Sequence, residues 1–225
     1  MDGILIVDKP QGMTSHDVVN LIRRRFAIKK VGHAGTLDPI ATGVLVMLLG
    51  KYTKFSDRLI KDDKSYEATM VLGATSDTGD AWGKIEPSGA KPYFTDDEIK
   101  RIFDEFIGEI EQTPPMYSAV KYKGRKLYEF ARKGVTVQVA ARKIFIKDIK
   151  ISRIALPEIG FDVVCSKGTY IRQLCSDIGK RLECGAYLSA LRRIRSGAFT
   201  IDGAIKIEDM RKCDKEALCK RLIRP

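Results

Sequence analysis

The sequence predicts an α+β fold, with a mixed, largely antiparallel sheet flanked by helices. Strand-like and helix-like segments intermix without the regular βαβ alternation of a parallel sheet. The chain has 225 residues, of which 44% are hydrophobic, so it can bury a sizeable core without disulfides. It contains no internal repeat, low-complexity tract or obvious interdomain linker. We therefore expect a single domain that spans residues 1–225.

The N-terminal elements follow from local patterns. Gly3–Val7 is a short apolar run that ends at the turn Asp8–Gly12, which indicates a strand. Thr14 or Ser15 can then cap a helix that ends in Arg23–Arg25, because basic residues suit the negative end of the helix dipole. A glycine-rich loop follows and leads to a buried apolar element at residues 44–49.

The central region combines one strand with one well-marked helix. Lys64–Gly73 is predicted to be a strand, and the polar turn region Ala74–Gly83 follows it. Glu86–Pro92 is the most loop-like spacer in the chain. Thr95–Glu98 has the spacing of a capping box, and the helix that it begins is expected to run to Gly108, a favourable residue after a helix end.

The remaining elements alternate between short strands and helices. The predicted strands are Met116–Val120, Val135–Val139, Ile144–Ile154, Ile159–Ser166 and Tyr187–Arg195. The predicted helices are Gly124–Lys133, Thr169–Leu182 and a charged C-terminal helix, Ile207–Leu222.

The charge balance favours a polyanionic partner. Lysine and arginine number 40 against 29 acidic residues, which gives a net charge of +11. Composition alone leaves open a basic protein that binds nothing specific. The basic residues form three clusters that we interpret as phosphate contacts, with a solvated face as the alternative for each: Arg23–Arg25 with Lys29–Lys30, Lys121–Lys126, and Arg192, Arg193 and Arg195.

Several classes of protein are disfavoured. The apolar run at residues 3–7 is too short for a signal peptide, and no stretch approaches the ~18 apolar residues of a membrane span, so a cytoplasmic location is expected. Five cysteines without a Cys-x-x-Cys pair, and only two histidines, do not suggest a closed zinc site. We expect buried, reduced thiols, no metal and no cofactor.

The loop Gly32–Pro39 is the best candidate for a site. Gly32 and Gly35 allow a tight turn or a close approach to a ligand, and Pro39 restricts Asp38 to extended geometry. The alternative is an ordinary turn, since Asp-Pro commonly starts one. The loop lacks the Gly-Lys-Ser/Thr ending of a phosphate-binding loop.

This loop and four further segments, in order along residues 1–200, resemble the TruB family of tRNA pseudouridine synthases. The five segments are Asp8–Ser15, Gly32–Pro39, Lys64–Tyr66, Cys165–Arg172 and Leu191–Arg193. The resemblance implies a pseudouridine-synthase-like fold and the isomerisation of uridine in the T loop of tRNA, at the position usually numbered 55. It implies no cofactor, and we expect a monomer without an obligate protein partner.

The resemblance also implies roles for individual residues. Asp38 matches the catalytic nucleophile, and Arg172 would lie beside it, keeping it charged and oriented. Tyr66 would stack on the flipped uracil. From the residues alone, the alternative for Arg172 is a surface helix residue that contacts phosphate or solvent, and the alternative for Tyr66 is a core aromatic on a strand.

The resemblance implies roles for five further residues in less detail. His33 resembles the residue that fills the space left by the flipped base, although a loop histidine can also be a turn hydrogen-bonder. Lys9 would support the catalytic loop from beneath, and Leu191 belongs to the substrate-binding set. Tyr170 either packs against the same pocket or belongs to the core. Asp80 is expected to pair with a site residue or an RNA-contacting residue.

The resemblance extends to RNA binding. The basic region near residues 114–142 resembles a family loop that clamps RNA, and the C-terminal PUA domain of many members is expected to be absent here. The charged tail from residue 206 to residue 224 is a candidate to supply RNA affinity in place of that domain. Two rival functions stay open: a synthase that acts on another RNA, or with guide RNA, and a non-catalytic tRNA-binding or tRNA-folding protein.

Overall fold

The computed structural model describes residues 1–89 and 92–224. Its strands are β1 (Gly3–Lys9), β2 (Val31–His33), β3 (Thr42–Leu49), β4 (Lys64–Leu72), β5 (Ala74–Ser76), β6 (Ile85–Pro87), β7 (Gly108–Gln112), β8 (Lys121–Tyr122), β9 (Arg125–Lys126), β10 (Arg142–Ala155), β11 (Glu158–Cys165), β12 (Ala186–Ser196), β13 (Phe199–Thr200) and β14 (Ile205–Lys206). Its α-helices are α1 (Ser15–Phe26), α2 (Ser56–Leu59), α3 (Asp96–Asp104), α4 (Leu127–Ala131), α5 (Ile171–Arg181), α6 (Ile207–Lys212) and α7 (Lys215–Lys220), and 3-10 turns lie at Gly50–Phe55 and Ile201–Gly203.

The chain forms two compact units. Unit 1 contains residues 1–66 and 191–225, and unit 2 contains residues 67–190. The chain passes from unit 1 to unit 2 within β4 and returns within β12. The predicted α+β class with a mixed, largely antiparallel sheet is confirmed, because most strand pairs are antiparallel and a minority are parallel.

Unit 1 is built around β3, which is buried along almost its whole length. β1 pairs with it in antiparallel register from Gly3 opposite Leu49 to Lys9 opposite Gly43. β2 is also antiparallel to β3, whereas the end of β12 joins it in parallel. An uninterrupted apolar sequence suits a strand that is covered on both faces, which is why this segment shows no alternation.

Helix α1 begins and ends where its sequence indicates. Thr14 is the N-cap, and its hydroxyl accepts from the Asp17 amide while the Asp17 carboxylate accepts from the Thr14 amide, so a capping box closes the first turn. Val18, Ile22 and Phe26 are buried along one face. The predicted helix is therefore confirmed, with Ala27 in left-handed conformation at its C-terminal end.

The C-terminal segment is part of unit 1. The predicted helix Ile207–Leu222 is wrong as a single element, because the chain turns extended at Cys213 and a new helix starts with the Asp214 side chain as its cap. Arg25 donates to the Arg211 and Cys213 carbonyls at 3.1 Å each, and Leu218 is fully buried. Deleting this segment would therefore remove core as well as charge.

Unit 2 contains the strand order β4-β11-β10-β7. The long strands β10 and β11 form an antiparallel hairpin, and β7 pairs with β10 on its other side. Helix α3 begins at the predicted capping box, with Thr95 as its cap and Glu98 as the reciprocal partner. Phe103 of α3 meets Phe161 of β11 edge to face, with ring centroids 5.4 Å apart, and this contact joins helix to sheet.

Four sequence predictions in unit 2 are wrong. Helix α3 ends at Asp104, and Gly108 starts β7 instead of following a helix. Met116–Val120 and Val135–Val139 form no strand among the described residues, and β-branched residues alone do not create a strand without a partner. The helix predicted at Gly124–Lys133 has the wrong bounds, because β9 of the hairpin β8–β9 occupies its first residues and the helix itself is only the five-residue α4. Within the spacer Glu86–Pro92, residues 90 and 91 lie outside the described residues.

Candidate active site

The loop that carries Asp38 is held at five consecutive carbonyl oxygens. The Gly35 and Thr36 carbonyls accept from the Arg193 guanidinium, and the Leu37 carbonyl accepts from the Ser15 hydroxyl. The Asp38 carbonyl accepts from the Ala41 amide at 3.0 Å, and the Pro39 carbonyl accepts from the Gly12 amide at 2.9 Å. The half-buried Asp38 side chain thus projects from a backbone with fixed hydrogen bonds on both sides.

Two glycines make this arrangement possible. Gly35 has φ of 97°, a conformation that side chains with a Cβ rarely adopt. Gly43 has φ of 98°, and a Cβ at this position would lie 2.9 Å from the Arg193 amide nitrogen. The tight turn predicted for the loop is therefore present at Gly35, and Gly43, for which no role was predicted, allows the close approach of the Arg193 backbone. Gly32 shows neither a tight turn nor a close approach, since a Cβ there would make only an ordinary contact with Thr53.

Lys9 is the last residue of β1, and its predicted support of the catalytic loop stays a prediction. Its side chain is fully buried, and its ammonium donates to the Pro10 carbonyl at 2.9 Å and the Met13 carbonyl at 2.7 Å. Burial lowers the pKa of Lys9 to about 8; the negative charge of Asp38 opposes this change, and the positive charge of Arg193 adds to it. Asp38 and Lys9 therefore interact electrostatically, which places a cation near the candidate nucleophile.

The low pKa of Lys9 predicts a specific pH dependence of stability. Between about pH 8 and the model-peptide value of 10.5, the unfolded chain binds more protons at this group than the folded chain, so the free energy of unfolding rises with pH in that window. We expect this group to contribute a rise of about 1–2 kcal/mol between about pH 7.5 and about pH 9.5. Urea denaturation of wild type and of Lys9→Met measures it, and equal slopes in the two proteins would contradict it.

His33 lies at the end of β2, where its surroundings favour the neutral form of the imidazole. Burial lowers the pKa of His33, and the charges of Arg193 and His16 lower it further. Its Nδ1 atom is buried and has no hydrogen-bond partner among the described residues. A neutral imidazole fits the predicted role of filling apolar space beside a flipped base. That role stays a prediction.

Tyr66 and Leu191 belong to unit 1 with Lys9, His33 and Asp38. Tyr66 is the third residue of β4 and is buried, and the preceding Ser65 hydroxyl accepts from Arg195 at 3.1 Å. Leu191 is also buried, and its carbonyl accepts from the Thr42 hydroxyl at 3.4 Å. Burial on a strand is compatible with a stacking role for Tyr66 and with a core role, so both interpretations stay open.

Arg172 lies in unit 2, in the first turn of α5, and is 3% exposed, so its interpretation as a surface helix residue is wrong. Its guanidinium donates to the Thr78 carbonyl at 2.6 Å and the Tyr117 carbonyl at 2.9 Å. Its Nε lies 3.6 Å from the buried Asp80 carboxylate, which confirms that Asp80 pairs with a predicted site residue. The predicted pairing of Arg172 with Asp38 stays a prediction.

Tyr170 lies two residues before Arg172, and its backbone is held by Gln112, a residue that the sequence analysis did not single out. The buried Gln112 side chain accepts from the Tyr170 amide at 2.8 Å and donates to the Tyr170 carbonyl at 3.1 Å. This double hydrogen bond fixes the start of α5, where Tyr170 is the N-cap residue. The Tyr170 ring is half-buried, so neither of its two predicted roles is decided.

Two family models together match residues 23–225 of the chain. The model of the "TruB family pseudouridylate synthase (N terminal domain)" matches residues 23–171. The model of the "tRNA pseudouridylate synthase B C-terminal domain" matches residues 172–225. The chain belongs to the TruB family. The resemblance inferred from five short segments is thereby confirmed.

Relatives of the TruB chain cover most of its length. It is 50% identical over 208 residues to the tRNA pseudouridine synthase B of Syntrophotalea carbinolica, and this match covers 92% of this chain and 68% of the relative. It is 44% identical over 223 residues to the tRNA pseudouridine synthase B of Opitutus terrae, and this match covers 99% of this chain and 92% of the relative. A solved chain in a Cbf5-Nop10-Gar1 complex superposes with a TM-score of 0.77 and 32% identity, covering 98% of this chain and 59% of that chain.

Family membership defines the enzyme class of this TruB protein. It is a pseudouridine synthase, which is an isomerase, and its relatives carry the name tRNA pseudouridine synthase B. No group of three or more metal-ligating side chains occurs in the described part of the chain. In residues 1–89 and 92–224, no helix combines the length and the apolar content needed to cross a bilayer.

The basic clusters of the TruB chain differ in what they can contact. The prediction of a phosphate contact is wrong for Arg193, because its side chain is 1% exposed and its donors are used by backbone carbonyls. Arg192 forms an ion pair with Asp8 at 2.9 Å. The hairpin β8–β9 instead presents exposed cations, and Lys123 lies 5.5 Å from the Tyr122 ring centroid.

Proposed function

We propose that this chain converts uridine to pseudouridine in the T loop of tRNA, at the position usually numbered 55, with Asp38 as the catalytic nucleophile. The observation that carries the proposal is the fixed backbone around Asp38, where five consecutive carbonyls are hydrogen-bonded. A carboxylate is ionised at neutral pH, can form a bond to an electrophilic carbon and can leave again. The family relationship supplies the reaction that such a group would perform here.

The chemistry sets the demands on the site. The N1–C1′ bond of uridine breaks, the uracil rotates, and a C5–C1′ bond forms; C5 loses a proton and N1 gains one, so the net reaction is an isomerisation that needs no redox cofactor. The target base has to leave its stack before this can happen. The site then has to hold the detached base and exclude water, because hydrolysis competes with rejoining.

The proposed roles of the other residues follow their burial. Lys9 supports the loop and places positive charge near Asp38. Burial favours the uncharged imidazole of His33, which suits contact with RNA where a base has flipped, and Tyr66 and Leu191 supply apolar surface for the uracil. Arg172 is proposed to orient Asp38. Tyr170 is proposed to line the pocket for the base.

A direct assay tests the proposed reaction. Unmodified tRNA transcript is incubated with the purified protein alone, without guide RNA or a second protein, and pseudouridine is mapped along the whole RNA. We expect a single modified position in the T loop, and a transcript with cytidine at that position should stay unmodified. Modification at another position would assign the chain to a different substrate. Binding without any pseudouridine would leave the non-catalytic RNA-binding function.

The same assay addresses partners. Similarity to a chain solved in complex with Nop10 and Gar1 favours, as a second candidate, activity within an assembly. We propose a monomer that acts alone in the cytoplasm, and full activity of the isolated protein would support the part of this proposal that concerns partners. Activity that appears only after partners or guide RNA are added would support the second candidate.

We further propose that the hairpin β8–β9 and helix α4, within the region 114–142, clamp the RNA backbone. Replacing Lys123 and Arg125 by Glu should weaken tRNA binding and reduce the slope of log affinity against log salt by about 0.7–0.9 for each lost phosphate contact. Binding titrations at several salt concentrations measure this. The matched control is the same double charge change at Lys100 and Arg101 of α3. Equal losses of tRNA affinity in the two double variants would indicate a general effect of net charge and not a clamp at this hairpin.

A further inference from the structure

Two buried side chains hold the backbone that leads into Asp38. Arg193 donates to the carbonyls of Gly35 and Thr36, and Ser15 binds both the amide and the carbonyl of Leu37. We propose that Arg193 and Ser15 are positioning residues, which fix the direction of the Asp38 carboxylate by immobilising this backbone. The proposal rests on the proposed function, since it assigns these two residues to the reaction of Asp38.

Arg193 suits this task because its guanidinium reaches in three directions. Nε donates to the Val44 carbonyl at 2.7 Å, Nη2 donates to the Gly35 carbonyl at 3.0 Å, and Nη1 donates to the Thr36 carbonyl at 3.4 Å. The side chain thereby ties the loop to strand β3. The backbone of Arg193 is itself held, because it lies opposite Gly43 in parallel register. A lysine ammonium has one nitrogen and cannot reproduce this planar fork.

The charge of Arg193 is informative because burying a cation opposes folding. An ionised group taken out of water raises the free energy of the folded state unless it is well hydrogen-bonded. An apolar side chain of similar size would fill the same space without that cost. The positive charge also lowers the pKa of both Lys9 and His33, so it acts on two other predicted site residues. A role in the site accounts for the charge, whereas simple packing does not.

Ser15 holds the peptide bond next to Asp38. Its hydroxyl accepts from the Leu37 amide at 2.8 Å and donates to the Leu37 carbonyl at 3.0 Å, and the residue is 2% exposed. The Leu37 carbonyl belongs to the peptide bond that links Leu37 to Asp38. Ser15 is also the first residue of α1, so its hydroxyl attaches the loop to the helix. Small displacements of a reacting group of about 1 Å can lower rates strongly, so this attachment bears on catalysis.

The test compares Ser15→Ala, Ser15→Thr and Arg193→Lys with wild type. Single-turnover rates on tRNA are measured with enzyme in excess, together with tRNA affinity and amide hydrogen exchange of the folded proteins. We expect Ser15→Ala and Arg193→Lys to lower the rate about 10–100-fold, with affinity within about twofold of wild type. Ser15→Thr keeps the hydroxyl and should recover most of the rate. Amides of residues 35–38 should exchange faster in the two impaired variants.

The matched control is Ser189→Ala in unit 2. The Ser189 hydroxyl donates to the Thr69 carbonyl at 3.1 Å, so this change removes one hydroxyl-to-carbonyl bond without touching the loop. It should leave both the rate and the exchange of residues 35–38 unchanged. Equal rate losses in Ser15→Ala and Ser189→Ala, or a wild-type rate in folded Ser15→Ala and Arg193→Lys, would overturn the positioning role alone. A wild-type protein that makes no pseudouridine would overturn the proposed function and this proposal together.

Discussion

Replacing Asp38 by Asn abolishes pseudouridine formation and leaves tRNA binding intact; this is the largest effect that we expect. Asparagine preserves the size of the side chain but cannot act as an ionised nucleophile at neutral pH. The loop should keep its conformation, because Ser15, Arg193 and backbone amides hold its carbonyls at residues 35–39. The rate should fall at least ~10⁴-fold, equivalent to about 5.4 kcal/mol of lost transition-state stabilisation.

The measurement combines pseudouridine mapping with a tRNA binding titration on the same preparations. The control is Asp17→Asn, which changes an exposed carboxylate at the start of α1 outside the loop. It should weaken the capping box slightly and leave the rate within about twofold. If Asp38→Asn retained substantial activity, the nucleophile would have to be another group. If it lost tRNA binding as well, Asp38 would act in recognition or in folding.

The second large effect is expected from Arg172→Lys. The guanidinium is buried and donates to the Thr78 and Tyr117 carbonyls beside the Asp80 carboxylate, and a lysine cannot satisfy all three. We expect the free energy of unfolding to fall by about 2–4 kcal/mol, because buried acceptors and a buried carboxylate lose their partner. Since the family resemblance implies that Arg172 also orients the nucleophile, the rate should fall about 100-fold or more.

Two measurements separate these effects. Denaturation reports the change in stability, and single-turnover rates well below the melting temperature report the change in chemistry for each folded molecule. Arg181→Lys is the matched control on the same helix, since Arg181 forms an exposed ion pair with Glu105 at 2.7 Å. It should change the free energy of unfolding by less than about 1 kcal/mol and leave the rate unchanged. A stability loss in Arg172→Lys with an unchanged rate would make Arg172 purely structural.

The structure also changes how the basic residues of this protein are understood. Net charge of +11 favours RNA, but individual arginines serve different purposes. Arg193 and Arg172 are buried and bind backbone carbonyls, whereas the cations of hairpin β8–β9 are exposed and lie against tyrosine rings. Positive charge in the sequence therefore predicts a partner for the whole chain. It does not predict which cation meets phosphate.

Local signals predicted those elements whose causes are local. The capping box at Thr95 was recognisable because its interacting side chains lie three residues apart, and Thr14 was one of two residues expected to cap the first helix. The apolar run before Leu49 predicted a buried element for a similar reason. Residues 116–120 and 135–139 were wrongly predicted as strands, because no strand pairs with them in the described structure. The break within 207–222 has a local cause, the Asp214 cap, which the sequence analysis missed.

The sequence by itself determined the α+β class, the family resemblance and the choice of Asp38, since each depends on residue types and on their order along the chain. Only the tertiary structure showed that Ser15 and Arg193 hold the loop, that Asp80 pairs with Arg172, and that Gln112 holds Tyr170. Sequence separations of 22 to 158 residues divide most of these partners. Spacing along the chain carries no signal at that range. Hydrogen-bond geometry and burial, which exist only after folding, decide these contacts.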